Sequence, residues 1–304
     1  MKSVRSPLNR SMPVIQLSDS PDWQDYVLLD SGNGSKLEQY GPYRLWRPEP
    51  EAVWKPLLPD REWQAADAVF KVTAEENGGH WEYRRPLPER WPMRYKNLRF
   101  YAMTTASRHV GVFPEQASQW DWIEDQVHAA GRPLQVLNLF GYTGLASLAA
   151  AQAGAKVTHL DASRKAIGWA KDNQTLSALD AQSIRWILDD AVKFVYREGR
   201  RGAKYDGLIL DPPKFGRGPK GEVWEFYKLI PDLLSACKGV LSDQAQFIVL
   251  TAYAVKASAL TLYNGLDEIM DGRGQVSAGE VVLQEKSGGR YLSLAVYGRW
   301  SANR

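Results

Sequence analysis

Two rhythms of apolar and polar residues divide the chain, and the change falls near Arg108. Before it, short runs rich in aromatic and β-branched residues, Tyr26 to Leu29, Tyr43 to Trp46 and Ala68 to Val72, predict strands. Ser31-Gly32-Asn33-Gly34, Pro48-Glu49-Pro50-Glu51 and Asn77-Gly78-Gly79 predict the turns between them. Residues 19–107 therefore read as a compact β-rich domain, and residues 1–18 as a loose tail.

After Arg108 the pattern alternates between strand and helix. Ser118 is placed to cap a helix running to Ala130, stopped by Gly131. Val136 to Phe140 reads as a strand, Leu145 to Ala153 as a helix, and Lys156 to Asp161 as a second strand. Ser163 caps a helix to about Ala178, Ile184 to Leu188 forms the third strand, and Ala191 to Arg197 a short helix. Tyr205 to Leu210 and Phe247 to Thr251 are further strands, with helical stretches around Leu229 and Leu262. This β-α repeat predicts a doubly wound, mainly parallel α/β sheet over residues 108–304. The ending differs: Val281 to Lys286 and Arg290 to Tyr297, joined by Ser287-Gly288-Gly289, read as an antiparallel hairpin.

Composition narrows the class. With 304 residues, 44% hydrophobic and 24% charged, the chain resembles an ordinary globular protein with core enough for two modest domains. One cysteine excludes an internal disulfide framework. Four histidines and that cysteine show no metal-ligand spacing, so no metal is expected. No apolar run reaches membrane-spanning length, which makes the cytoplasm the expected location and a membrane partner unexpected. A net charge of +3 is compatible with a polyanionic partner without demanding one. Eight of the 12 tryptophans (Trp23, Trp46, Trp54, Trp63, Trp81, Trp91, Trp120 and Trp122) precede Gly131, and they are expected in the core of the early domain rather than as stacking platforms.

The candidate chemistry sits at successive strand ends. Gly141 and Gly144 flank Tyr142-Thr143 between a strand and a helix, where small residues let the backbone approach a ligand. The Gly-x-Gly-x-x-Gly spacing that seats a pyrophosphate is missing. Asp161 ends the second strand about 20 residues on, the distance at which an acid meets ribose hydroxyls in such folds. Together these favour a nucleoside cofactor without a pyrophosphate. Asp190, with Asp189 as its rival, is placed to accept from an adenine amine. Asp211-Pro212-Pro213-Lys214-Phe215 closes another strand with a carboxylate, two prolines that stiffen the corner, and a ring. Asp211 could orient a base amine or ring N–H, and Phe215 could stack on a flat substrate. Lys214 reads equally as a phosphate contact or a solvated charge. Arg200, Arg201, Lys204, Arg217 and Lys220 suggest a basic stripe near this mouth, on a loop kept supple by Gly216, Gly218 and Gly221. His159 reads as structural.

Asn138-Leu139-Phe140-Gly141-Tyr142-Thr143-Gly144, Leu160-Asp161-Ala162-Ser163, Asp189-Asp190-Ala191 and Asp211-Pro212-Pro213-Lys214-Phe215 resemble, in this order, motifs of bacterial class I methyltransferases. The relatives in question modify cytosine C5 or guanine N7 in 23S ribosomal RNA. Val110-Gly111-Val112-Phe113-Pro114-Glu115-Gln116 is similar to that family's short element before the catalytic domain. The resemblance spans roughly Arg108 to Trp300. It implies a Rossmann-like, seven-stranded sheet and S-adenosylmethionine as methyl donor, leaving S-adenosylhomocysteine. It also implies cofactor contacts at Phe113, Gln116, Asn138, Phe140, Gly141, Tyr142, Thr143, Gly144, Asp161, Ala162, Ser163, Asp189, Asp190 and Asp211. Catalytic roles would then fall to Asp211, Pro212, Lys214 and Phe215.

The chain departs from the cytosine enzymes in one chemical respect. Their nucleophilic cysteine follows the fifth strand, where this chain has Thr251-Ala252-Tyr253. Its sole cysteine, Cys237, lies in the apolar stretch Leu233 to Cys237, the setting of an inert thiol. The expectation is direct, non-covalent methyl transfer to a base nitrogen of RNA, ribosomal by resemblance, by a monomer or homodimer. A methyltransferase of a small molecule or protein is the second reading, and a non-catalytic RNA-binding protein the third.

Overall fold

The computed structural model describes residues 12–73 and 78–302. Residues 1–11 of the expected tail and Asn77 of the third turn lie outside the described residues. The described chain opens with β1 (Ile15–Ser18). A five-stranded sheet follows in sequence order: β2 (Tyr26–Gly32), β3 (Ser35–Tyr40), β4 (Tyr43–Pro48), β5 (Ala68–Val72) and β6 (Gly79–Tyr83), with helix α1 (Asp60–Gln64) between β4 and β5. A separate hairpin, β7 (Trp91–Tyr95) and β8 (Leu98–Ala102), completes the β-rich region.

A 3-10 turn, Pro114–Gln116, runs directly into α2 (Ala117–Ala129). The alternation that follows is β9 (Gln135–Leu139), α3 (Leu145–Gln152), β10 (Lys156–Asp161), α4 (Arg164–Leu176), β11 (Ile184–Leu188), α5 (Ala191–Arg200) and β12 (Gly207–Leu210). A short ribbon, β13 (Phe215–Arg217) with β14 (Val223–Glu225), leads into α6 (Phe226–Val240). The chain ends with β15 (Phe247–Ala252), α7 (Ala259–Met270), β16 (Gln275–Gln284) and β17 (Tyr291–Ser301).

The large sheet has the order β1-β16-β17-β15-β12-β9-β10-β11. Strands β9, β10, β11, β12 and β15 are mutually parallel where they pair, and β17 is antiparallel to both β15 and β16. Seven of these strands are the expected sheet with its closing hairpin. The eighth, β1, corrects the expected tail: Ile15 to Ser18 pairs in parallel with Ala278 to Val281. The edge of β16 offers a row of unpaired backbone groups, and Gly279 lets the incoming chain close on it. A Cβ there would lie 1.8 Å from the Gln16 carbonyl oxygen.

Ser118 is the second correction. Pro114 sets the backbone angle of the 3-10 turn, so the helical stretch begins before Ser118, whose hydroxyl donates to the Glu115 carbonyl at 3.3 Å instead of capping. Ser163 does cap α4, accepting from Ala166 N–H.

Apolar clusters cover both faces of the large sheet. A further core runs through the β-rich region into the sheet layers, joining Trp91, Met93 and Phe100 to Leu145, Leu148 and Leu292. Packing is therefore continuous across Arg108. Trp63, Trp91 and Trp120 are buried, as expected of early-domain core. Polar joints reinforce the seam. The tip beyond β16 donates backbone N–H groups from Lys286 and Ser287 to the carbonyls of Leu28 and Leu29. Arg290 pairs with both Asp30 and Glu285, two fully buried carboxylates.

Deeper still, Arg47 makes a two-pronged bond to Glu38 at 2.7 Å per prong, while its remaining N–H groups reach Tyr40 Oη and the Arg108 carbonyl. Burial by itself would lift the Glu38 pKa, yet Arg47 and then Lys36 hold it below its ordinary value. Removing one member of such a pair strands the other charge. Arg47→Met should cost about 3–5 kcal/mol, read as a fall in the urea unfolding midpoint. Adding Glu38→Leu should recover most of the loss.

Candidate active site

The carboxyl ends of β9, β12 and β15 converge on one crevice, the place where open α/β sheets bind ligands. Its lining includes Phe113, Gln116, Asn138, Tyr142, Asp211 and Thr251. The loop after β9 is unusual: Phe140, Tyr142 and Gly144 all take left-handed φ values, 60°, 49° and 89°. Left-handed non-glycine residues cost about 1–3 kcal/mol each and persist only where surroundings over-determine them. Here Gly141 N–H reaches the Leu160 carbonyl, Tyr142 N–H reaches Asp161 Oδ2 at 2.8 Å, and Asn173 Nδ2 donates to the Thr143 carbonyl. Thr143 Oγ1 donates in turn to the Gly111 carbonyl at 2.7 Å.

The two glycines have a reason that the sequence concealed. A Cβ on Gly141 would sit 2.3 Å from the His159 ring, and one on Gly144 would sit 2.8 Å from Ala170 Cβ. The room they leave is filled by the protein's own packing. His159 is fully buried beneath the loop, its Nδ1 2.9 Å from Ser147 Oγ, which also accepts from Asn138 Nδ2. Burial pushes the His159 pKa down to about 3, so the ring stays neutral. Its structural role is the expected one.

Asp161 receives two backbone N–H groups, Tyr142 on one oxygen and Ser163 on the other, and burial lifts its pKa above the ordinary value. Ala162 is half-buried between them. Asp190 caps α5, accepting from Lys193 N–H through Oδ1 at 2.9 Å, and Asp189 pairs with Arg197 at 2.5 Å. Both carboxylates thus serve the protein itself, a duty that their spacing in sequence did not reveal.

At the Asp-Pro-Pro corner, Pro212 is buried while Lys214 and Phe215 project. Phe215 is 54% exposed, so its ring is not part of the core. The expected supple loop is instead the ribbon of β13 and β14. Trp224 Nε1 donates to the Pro213 carbonyl at 2.6 Å, and Glu222 gathers Lys193 Nζ and Lys220 N–H. The expected basic stripe is split as well. Arg200, Arg201 and Lys204 lie from the end of α5 to the start of β12, at the opposite end of that strand from Asp211, with Lys204 Nζ bound to the Gly239 carbonyl. Only Arg217 and Lys220 stand on the ribbon.

Asp211 Oδ2 receives Gln116 Nε2 at 3.4 Å, while Oδ1 is buried without a hydrogen bond. Burial, and secondarily the charge of Glu115, push its pKa up to about 8. Glu115 is itself buried, with its pKa raised chiefly by burial. Phe113 stacks obliquely on Tyr253, 5.1 Å between ring centres, and on Tyr142 at 5.8 Å. Glu115 and Tyr253 were missed by sequence reading. A carboxylate inside the apolar run from Val110 was the available signal for the first, and position just past a strand end for the second. Cys237 is fully buried in α6 and burial pushes its thiol up to about 12, so no thiolate is available at the crevice.

The matching family model, S-adenosylmethionine-dependent methyltransferase, covers residues 67–245. The chain belongs to that family. A crystal structure of an S-adenosylmethionine-dependent methyltransferase from Agrobacterium tumefaciens is 50% identical, covers 96% of this chain and 95% of its own, and superposes with a TM-score of 0.91. Ribosomal RNA large subunit methyltransferase I of Tolumonas auensis is 38% identical over 106 residues, 34% of this chain and 24% of the relative. Ribosomal RNA large subunit methyltransferase K/L of Alteromonas mediterranea is 29% identical over 183 residues, 59% of this chain and 25% of the relative. The chain thus spans about a quarter of the length of these two curated relatives.

The crevice fits a methyltransferase cofactor: it is lined by the loop from Phe140 to Thr143 and by Asn138, and Asp211 brings to it a buried carboxyl oxygen still without a hydrogen-bond partner. Among the described residues no group of His, Cys, Asp or Glu could hold a metal ion, and no helix is long and apolar enough to cross a membrane.

The raised Asp211 pKa carries a stability consequence. The folded chain keeps this proton up to about pH 8, whereas the unfolded carboxyl releases it near its ordinary 3.8. Across that window the folded state binds more protons, so the group's contribution to stability falls as pH rises. In the cofactor-free protein, Asp211→Asn should melt with wild type near pH 4 and roughly several °C above it at pH 9, as read by differential scanning calorimetry.

Proposed function

We propose that the chain transfers methyl groups from S-adenosylmethionine to a base nitrogen of RNA (EC 2.1.1.-), with large-subunit ribosomal RNA as substrate and S-adenosylhomocysteine as product. The observation that carries this reading is the corner after β12. A buried carboxyl with an unpartnered oxygen stands beside a solvent-facing aromatic ring, at the mouth of a crevice that fits a nucleoside cofactor. Two relatives named as ribosomal RNA large subunit methyltransferases support the choice of RNA.

In this reading Asn138 and the loop from Phe140 to Gly144 form the cofactor's floor, with Phe113 and Gln116 opposite. Asp161, with Ala162 and Ser163 beside it, takes the ribose. Asp190 uses its second oxygen for the adenine amine, and Asp189 flanks it. Residues 108–304 form the catalytic domain, and residues 19–107 the N-terminal one. The protein works in the cytoplasm as a monomer or homodimer.

Bound S-adenosylmethionine supplies a methyl group on a sulfonium, whose positive charge disappears in transfer. The protein's part is alignment and exclusion of water. Phe215 stacks on the accepting base and Lys214 meets a phosphate or base carbonyl. Pro212 keeps the corner stiff, and Asp211 orients the base N–H and takes its proton as the methyl arrives. No covalent adduct forms, in keeping with the buried Cys237 thiol.

Labelled methyl groups should pass to RNA isolated from a strain lacking this gene, and not to a small-metabolite extract. Label in the metabolites alone would move the substrate to the second class. Because Asp211 must be ionised to accept a proton, kcat/KM should rise with pH through about 8 and then level. Asp211→Ala should abolish transfer while S-adenosylhomocysteine still binds.

A further inference from the structure

Two buried polar atoms without partners lie at neighbouring strand ends. β12 and β15 are parallel, with Leu210 opposite Leu250, so Asp211 and the segment Thr251 to Tyr253 emerge side by side at the crevice. Asp211 Oδ1 makes no hydrogen bond, and the Tyr253 hydroxyl makes none of full geometry. Hydroxyl and carboxyl groups withdrawn from water are nearly always bonded, and exceptions call for an explanation.

Packing fixes where the Tyr253 hydroxyl lies. Its ring is held against Phe113 on one side and against the cluster of Val281, Ala295 and Tyr297 on the other. The hydroxyl lies close to Gln116 and Glu115, with the Asp211 charge nearby, but no contact reaches full hydrogen-bond geometry. The titratable groups facing Asp211 are Glu115, from the 3-10 turn, and Tyr253 itself, from the end of β15. Lys36, Arg47 and Glu38 of the N-terminal sheet act one step removed, on Glu115. Burial, followed by Glu115 and Asp211, raises the Tyr253 pKa well above its ordinary value, so the phenol is a fixed donor.

We propose that Tyr253 is a substrate-positioning residue whose hydroxyl, paired with Asp211 Oδ1, grips the edge of the accepting ring where an N–H stands beside a carbonyl or ring nitrogen. Such an edge is common to the pairing faces of the nucleobases: guanine offers N1–H beside O6, and uracil N3–H beside O4. The donor from Tyr253 meets the ring's acceptor while Asp211 takes the N–H. Two points then fix the ring's rotation, which a stacking contact alone leaves free. The inference rests on the reading of the chain as a base methyltransferase, and it assigns a residue that the motifs do not contain. The zwitterionic end of the cofactor presents the same two signs of hydrogen bonding, so the test separates cofactor from base.

Tyr253→Phe keeps the ring and its packing and removes only the donor. The full chain and this variant are compared in three measurements. These are thermal melting, calorimetric titration with S-adenosylhomocysteine, and methyl transfer to RNA from the deletion strain with KM and kcat separated. A fourth titrates guanosine and uridine monophosphates in the presence of S-adenosylhomocysteine. The expected result is unchanged melting, unchanged cofactor affinity, at least about tenfold higher KM for RNA, and weaker nucleotide binding. Loss of cofactor affinity would reassign the hydroxyl to the cofactor and overturn the proposal. Unchanged KM and nucleotide affinity would overturn it too, as would a lower melting temperature that accounts for all the loss. A wild-type protein that binds S-adenosylhomocysteine yet methylates no RNA would overturn the proposed function, leaving the nucleotide titration to decide on Tyr253.

Discussion

The Asp161 carboxylate ties the site together. By accepting Tyr142 N–H on one oxygen and Ser163 N–H on the other, it couples the loop after β9 to the start of α4. That loop is costly, with two non-glycine residues at left-handed angles. It is held from above by Asp161 and Asn173, and from below by the His159 ring, which leaves no volume for a side chain at Gly141. A site formed this way is shaped before any ligand arrives, so binding does not have to pay for ordering it.

The opposite wall of the crevice comes from the segment before α2 rather than from the sheet. Phe113, Glu115 and Gln116 are carried by a 3-10 turn fixed by Pro114, and they reach Asp211 and Tyr253 across the strand ends. The segment leading into that turn is tied to the N-terminal sheet through Arg47, which bonds both Glu38 and the Arg108 carbonyl. The β-rich region is therefore part of the electrostatics of the corner. Its charges on Lys36, Arg47 and Glu38 act on Glu115, and Glu115 acts on Asp211. The carboxyl at the corner is tuned by burial first and by its neighbour second.

Most of the fold could be read from periodicity. The strand Lys156 to Asp161, the cap at Ser163 and the strand Ile184 to Leu188 were all legible, because a strand's apolar run and a helix cap are local signals. Other features were hidden because they depend on partners distant in sequence. Ile15 to Ser18 carries no strand signal strong enough to stand alone, and pairs only because β16 exposes an edge and Gly279 clears the way. The basic residues from Arg200 to Lys220 look contiguous along the chain, yet β12 runs between them and sends the two groups to opposite ends of the strand.

The sequence by itself determined the order of strand-end residues, from the Gly141 loop through Asp161 and Asp190 to Asp211, because each follows a local run that fixes its element. It also determined the absence of a thiol after the fifth strand, and so the kind of methyl transfer to expect. Only the tertiary structure decided what those residues are free to do. Asp190 is partly committed to a helix cap, the loop glycines to His159 and Ala170, and Phe215 to solvent. It alone brought Glu115 and Tyr253 to Asp211, since hydrogen-bond partners and desolvation arise from packing between segments that no local pattern links.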